Sequence, residues 1–104
     1  MNLGKTFFIT LAAAGAPGLA LAARAFDGQQ YLHEAKIALE QARRIALEQV
    51  PGGSVTAQEL EHERGGSGLR YSFDIRLGQV KREVGIDAAT GRVLENSVEG
   101  KNPD

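Results

Sequence analysis

Three glutamates are the residues of this sequence whose type and spacing most suggest chemistry. Glu59, Glu61 and Glu63 alternate along the chain, so in an extended strand their carboxylates project from one face. Such a row could bind a cation through its oxygens. However, His62 would point to the opposite face, and Ca²⁺ or Mg²⁺ sites usually gather their oxygens from a folded-back loop. We therefore expect a solvated strand face, with neither a metal site nor a cofactor.

The other polar residues do not form a recognisable catalytic motif. A nucleophile needs a base and an orienting group beside it, and no serine of the chain sits in a recognisable nucleophile turn. His33 and Glu34 stand at the start of a helical pattern, where a solvent-exposed position is expected. The glycine-rich run at 65–68 lacks the Lys-Ser/Thr pair of a phosphate-binding loop. The sequence therefore predicts no catalytic residue and no enzyme activity.

The first residues have the composition of an export signal. Lys5 carries the only side-chain charge before an uncharged, apolar stretch at 6–23. Glycine and proline interrupt this stretch ahead of a run of small residues, which favours cleavage over membrane anchoring. We predict a signal peptide over residues 1–22, with cleavage after Ala22 as the first choice and after Ala25 as the second. The alternative is a retained N-terminal anchor.

The composition of the remaining chain excludes several classes of partner. Only Lys5 of the 12 basic residues and none of the 13 acidic residues lies in the predicted leader. The mature domain is thus close to neutral and offers no basic patch for nucleic acid or anionic lipid. Cysteine is absent, so no disulfide or thiolate metal site is expected. We predict a periplasmic or secreted domain with no membrane span after cleavage, and we leave its oligomeric state open.

A helix is the first element that could position these residues. Apolar side chains recur every three or four positions from Tyr31 to Val50, which predicts one amphipathic helix with a core-facing stripe. Pro51 cannot continue the helix, and the two glycines that follow permit a sharp exit. The helix should end near Val50. Residues 23–30 before it are expected to form a flexible segment without fixed structure.

Strand patterns occupy the rest of the chain. The parity of the apolar positions changes between Val55 and Leu60, which a bulge or a half-exposed strand would explain. Gly78 suits the first central position of a two-residue turn. Asp87 can accept a backbone N–H two residues further on, in a loop that Gly91 would end with a positive φ. The strands are expected at residues 54–64, 69–77, 80–87 and 92–98.

These features predict the α+β class, with one amphipathic helix packed on a three- to four-stranded antiparallel sheet. The domain should cover residues 31–99 and end in a polar tail at 100–104. The order of a helix ending in Val-Pro-Gly-Gly, an acidic strand, a Tyr-x-Phe-x-Ile strand and the run from Asp87 to Leu94 resembles the PepSY domain over roughly residues 33–98. The resemblance implies inhibition or modulation of peptidases, as in propeptides of thermolysin-like metallopeptidases and in exported bacterial proteins. It brings no catalytic motif.

Two functions remain as hypotheses. The first is an exported module that binds a peptidase or another envelope protein through an edge strand or the exposed sheet. The contacting edge would be the acidic strand at 58–63, with Glu59, Glu61 and Glu63 as candidate partner-binding residues, or the last strand at 93–98. The alternative is a periplasmic domain that binds a small solute or a cation through the carboxylate row or through a pocket between helix and sheet.

Overall fold

The computed structural model describes residues 26–99 of the chain. Its α-helix lies on an antiparallel sheet whose strands follow one another in chain order, which confirms the expected α+β class. The elements are a 3₁₀ helix (Gln29–Glu34), α1 (Leu39–Glu48), β1 (Ser54–His62), β2 (Leu69–Leu77), β3 (Val80–Asp87) and β4 (Val93–Val98). The predicted signal peptide at 1–22 and the tail at 100–104 lie outside the described residues, and the domain boundaries stay predictions.

Local sequence accounts for two features of the sheet. Gly78 has a φ of 64° in the two-residue turn that joins β2 to β3, as its sequence predicts. The pairing of β1 with β2 shifts register between Val55 and Ala57. This bulge places Val55 and Leu60 on the same side of the sheet despite their opposite parity. The predicted bulge is therefore confirmed.

The core lies between α1 and one face of the sheet. Ala42 and Ala46 of α1 are fully buried, and their small side chains let the helix lie close to the strands. The largest side chains that meet the helix layer are Leu60, Tyr71, Phe73, Ile75, Val84 and Ile86, all at most 2% exposed. Burying each of them contributes roughly 1.5–3 kcal/mol. No helix of the described part of the chain is long and apolar enough to cross a membrane.

The single helix expected from Tyr31 to Val50 is wrong in its first half. The chain forms a 3₁₀ helix, then an extended stretch, and α1 begins only at Leu39. Ala35 and Ala38 have ψ angles of 146° and 156°, which are incompatible with a continuous helix. The predicted end is close to the observed one, since α1 stops at Glu48.

Hydrogen bonds to the sheet explain this interruption. The N–H groups of Lys36 and Ile37 both donate to the Ala88 carbonyl, at 2.9 and 3.1 Å. The Tyr71 hydroxyl donates to the Ile37 carbonyl at 2.8 Å. These bonds replace the ones that a continuous helix would have formed, so tertiary contacts override the helical periodicity of this segment.

The segment before the helix is also more ordered than expected. The sequence predicts a flexible stretch at 23–30, but its described part is bound to β1: the Leu60 N–H donates to the Asp27 carbonyl at 2.9 Å. Gly28, with a φ of 91°, passes so close to the Leu60 carbonyl that a side chain would collide with it. Further along, Glu34 lies 2.8 Å from His62. Residues 26–34, which we call the strap, therefore cover the outer edge of β1 beside Glu59–His62.

Candidate partner-binding surface

Two kinds of exposed surface stand out in the described residues: the face of the sheet opposite α1, and the outer edge of β4. We call the first the open face. Strand pairing places on it six carboxylates and three cations: Glu59, Glu61, Asp74, Glu83, Glu95 and Glu99, with Arg70, Arg76 and Lys81. A shallow groove of about 460 Å³ runs along this face. The face is concave, polar and net negative.

The structure places the three glutamates singled out by sequence along this groove. Glu59 and Glu61 belong to β1 and project from the open face. Glu63 follows the end of β1, where its N–H donates to the Gly68 carbonyl at 3.0 Å. Ser72 donates to Glu61 at 2.7 Å. As the alternation predicts, His62 points away from them, towards the strap.

Crowding of negative charge perturbs two of the carboxyl groups. A side-chain hydrogen bond with Glu61, together with burial and the charges of Glu61, Asp27 and Asp74, raises the pKa of Glu59 to about 7. Burial, followed by the charge of Glu95 and other carboxylates, raises the pKa of Glu83. Near neutral pH, Glu59 is therefore protonated for part of the time.

Cross-strand pairing adds to this repulsion. Asp74 and Glu83 lie directly opposite each other on β2 and β3, an arrangement that is unfavourable for like charges. Lys81 relieves part of the repulsion, because its Nζ lies 3.8 Å from Asp74 and 3.5 Å from Glu99. Among the described residues no salt bridge reaches Glu83. The charge on the open face thus costs the fold stability.

One arginine closes an end of the open face. Arg70 is only 9% exposed, and its side chain crosses β3 at Gly85, where a Cβ would lie 3.1 Å from the Arg70 Cδ. The guanidinium donates to Glu95 at 3.3 Å and to the Arg64 carbonyl at 3.0 Å. The missing side chain of Gly85 is therefore what lets this cation reach β4.

Asp87, at the same end, has a structural role. Its carboxylate accepts the N–H of Ala89 at 2.7 Å, the contact predicted from sequence, and Gly91 has the predicted positive φ of 83°. It also accepts the N–H and the hydroxyl of Ser67, at 2.7 and 2.8 Å. Burial alone would raise the pKa of Asp87, but the donors of Ala89, Ser67 and Thr90 outweigh it and lower the pKa.

Sequence reasoning missed the Ser67 contact because the serine stands in a glycine-rich run that reads only as a flexible connection. Sequence reasoning also missed a trio of carboxylates.

Asp74, Glu83 and Glu99 each bring an oxygen within 4.8 Å of the others, but they come from separate positions in the chain. Lys81 already supplies a positive charge to two of them, so this trio needs no metal ion to explain it.

The two edges of the sheet differ in what is bound to them. The strap covers β1, whereas within residues 26–99 no strand pairs with the outer side of β4. The Glu99 N–H donates to the Lys81 carbonyl at 2.8 Å. Backbone groups alternate in direction along an antiparallel strand, so those of Asn96 and Val98 point outward. β4 therefore presents unpaired donors and acceptors.

Comparison with known proteins gives one match. The family model described as the peptidase propeptide and YPEB domain, PepSY, matches residues 36–96. That range contains α1, the first three strands and most of β4, which is more than half of the chain. Searches of curated proteins and of solved structures gave no match.

Proposed function

The chain belongs to the PepSY family, and on this premise we propose that it is an exported binding module that modulates or inhibits a peptidase or another envelope protein. PepSY domains are typically non-catalytic propeptide or inhibitor modules, and they occur in exported proteins. The observation that carries the proposal is the open face, a concave and net negative surface that no element among the described residues covers.

The charge of the open face supports a binding role. Surface charges that serve only solubility are usually spread so that opposite charges alternate. Here Asp74 faces Glu83 across two strands, and the neighbouring Glu61 raises the pKa of Glu59. A bound protein with positive charges would relieve this repulsion, and the energy released would contribute to binding.

The three glutamates of the acidic strand are the residues that we propose to contact the partner. The strap covers the backbone edge of β1 beside Glu59, so the contact would come from side chains rather than from strand addition there. Glu59 and Glu61 would meet the partner in the middle of the groove, and Glu63 at its end. This proposal joins the acidic strand and the exposed sheet in one surface.

The neighbours of the histidines support binding over catalysis. His33 contacts the Gln30 carbonyl and His62 contacts Glu34. The Ser67 hydroxyl donates to Asp87. Among the described residues, therefore, no hydroxyl nucleophile is hydrogen-bonded to an imidazole base, which a serine-type site requires.

An inhibition assay tests the proposal. The full chain is added to peptidases recovered from the envelope and the medium of the producing cells, and residual activity is measured. We expect inhibition by the wild type, weakened about tenfold in a Glu59→Gln/Glu61→Gln variant, because each lost charge contact costs a fraction of a kcal/mol to a few kcal/mol. A Glu40→Gln/Glu48→Gln variant makes the same change on α1 and should inhibit like the wild type.

Affinity capture from the envelope fraction provides the second measurement. The wild type and the α1 variant should retain the same partner, and the open-face variant should lose it in moderate salt. Failure to capture any protein, together with unchanged peptidase activity, would contradict the proposed function.

A further inference from the structure

We propose that β4 is the docking edge of the module and that it pairs with an extended peptide segment carrying lysine or arginine at alternate positions. This inference rests on the proposed function, since it specifies the chemistry of the partner. It starts from the contrast between the two edges of the sheet. The strap closes the Glu59–His62 end of β1, whereas the Asn96 and Val98 N–H and C=O groups face outward without a strand beside them in the described part of the chain.

The side chains beside β4 set the chemistry of the added strand. Its own side chains would alternate between the open face and the helix side, about 4.8 Å from β4. On the open face it would meet Glu95 and Glu99, with Glu83 one strand further in. The side chain of a lysine or arginine is long enough to reach from the added strand to these carboxylates. Basic residues therefore fit at every second position.

Glu83 adds a negative charge to the open face beside β4 that the existing ion pairs do not neutralise. Arg70 contacts Glu95 and Lys81 contacts Glu99, but no basic group of residues 26–99 contacts Glu83. Glu83 also faces Asp74 across the strands. A basic side chain from an added strand would supply the missing opposite charge.

The helix side of β4 has the opposite preference. Arg82 projects there, and its Nε donates to the Asn96 side-chain oxygen at 2.9 Å. A second basic group on this side would be repelled, while Val93, at 38% exposed, offers an apolar contact. The two sides together favour a segment in which basic residues alternate with uncharged or apolar ones.

Arg82 does not close the edge. Its Nη2 lies 3.5 Å from the Asn96 carbonyl oxygen, at the long limit for a hydrogen bond. A carbonyl has two lone pairs and can accept a second donor. The N–H of an added strand can therefore bond to Asn96 while Arg82 stays in place.

A pair of synthetic peptides tests the proposal on the isotope-labelled full chain. In one nine-residue peptide, lysine alternates with threonine and valine; in the other, the same residues are rearranged so that the lysines are consecutive. We expect the alternating peptide to bind at least about tenfold more tightly and to slow amide exchange of Asn96 and Val98, but not of Leu60. Equal affinity of the two peptides, protection only at β1, or no binding would overturn the proposal.

Two matched variants test the edge itself. Asn96→Pro removes the outward N–H without removing a bond to β3, whereas Asn96→Ala keeps that N–H and removes the side chain. We expect about a tenfold loss of peptide affinity in the proline variant, and no such loss in the alanine variant. If the proline variant does not fold, a peptide N-methylated on the backbone nitrogens that face β4 makes the same comparison on the wild-type chain, and undiminished binding of that peptide overturns the proposal.

The outcome also separates this inference from the proposed function. Peptidase inhibition that is unchanged in folded Asn96→Pro would overturn docking at β4 and leave the inhibitor role intact. Selective binding of the alternating peptide with protection at Asn96, in a chain that inhibits no peptidase, would support the docking edge and contradict the inhibitor role.

Discussion

At the scale of single residues, Asp87 joins two loops that are 20 positions apart in sequence. Its carboxylate accepts hydrogen bonds from the loop before β2, through Ser67, and from its own turn, through Ala89 and Thr90. Asp87 itself is 1% exposed, so these donors surround a carboxylate that has almost no contact with solvent. The sequence predicts a flexible connection at the glycine-rich run 65–68. The distant Asp87 side chain holds this connection in place.

We predict that Asp87→Ala lowers the free energy of unfolding by about 2–4 kcal/mol, because four part-buried donors lose their acceptor at once and the buried carboxylate leaves a cavity. Urea denaturation at neutral pH measures this. Asp74→Ala serves as the matched control; it removes a carboxylate that faces Glu83 and should be neutral or slightly stabilising. Equal losses in the two variants would contradict the role assigned to Asp87.

The lowered pKa of Asp87 also predicts acid sensitivity. The folded state releases this proton more readily than the unfolded chain, whose value is 3.8. The contribution of Asp87 to stability is therefore present above pH 3.8 and is lost as the pH falls through the folded-state pKa. Denaturation curves of the wild type should show this decline in acid, and Asp87→Ala should show a shallower one over the same range.

Glu59 has the opposite pH dependence. Its pKa rises from 4.5 to about 7 in the fold, so the folded state binds the proton more tightly. Its contribution to stability is present below pH 4.5 and is lost as the pH rises through about 7. We predict that Glu59→Gln, which resembles the protonated side chain, stabilises the protein near pH 8 and has little effect near pH 4. Glu48→Gln, on α1, should leave the pH profile unchanged.

At the scale of elements, the hydrogen bonds of the segment at Lys36 and Ile37 to Ala88 and Tyr71 decide where the helix begins. The periodicity of the apolar residues is continuous from Tyr31, and nothing in the local sequence forbids a helix there. The start at Leu39 depends on the Ala88 carbonyl, in the turn after β3, and on the Tyr71 hydroxyl of β2. A pattern read along the chain has no access to such contacts.

We predict that Tyr71→Phe lowers the free energy of unfolding by about 1–2 kcal/mol, because the Ile37 carbonyl loses its donor in a partly buried setting. Hydrogen exchange of the Lys36 and Ile37 amides should accelerate more than exchange in α1. Tyr31→Phe is the matched control, since within residues 26–99 the Tyr31 hydroxyl makes no hydrogen bond. An unchanged exchange rate at Lys36 would show that the hydroxyl does not hold this segment.

The features of the strands that depend only on residues close together in the sequence could be predicted. Alternation in β2, the turn at Gly78 and the loop from Asp87 to Gly91 each depend on neighbouring residues, and the structure has them as predicted. The row at Glu59 and Glu61 was predictable for the same reason. The open face as a whole was not, because the proximity of Asp74 to Glu83 depends on strand register and the cover over β1 depends on the strap.

At the scale of the whole molecule, acidic and basic residues are nearly equal in number, but the acidic ones are concentrated on the open face. The formal net charge of the chain is −1, yet the open face holds six carboxylates and three cations. The helix layer and the open face therefore present different electrostatic surfaces to a partner. Orientation during encounter would depend on this difference, and would weaken as salt screens it.

We predict that salt stabilises the free protein. Raising NaCl from about 0.02 to 0.5 M near pH 8 should increase the melting temperature by roughly 2–8 °C, since relief of about 0.5–1 kcal/mol of repulsion has that effect in a domain of this size. The increase should be smaller in a Glu59→Gln/Glu83→Gln variant. A melting temperature that falls with salt in the wild type would mean that attractive pairs outweigh the repulsion.

The strap limits where another chain can join the sheet. Beside Glu59–His62 the strap occupies the place where a further strand would pair with β1, whereas within residues 26–99 no strand lies beside the outer side of β4. The strap therefore limits edge-to-edge growth of the sheet through this end of β1. That limit depends on Gly28, because any larger residue there would push the strap away from Leu60.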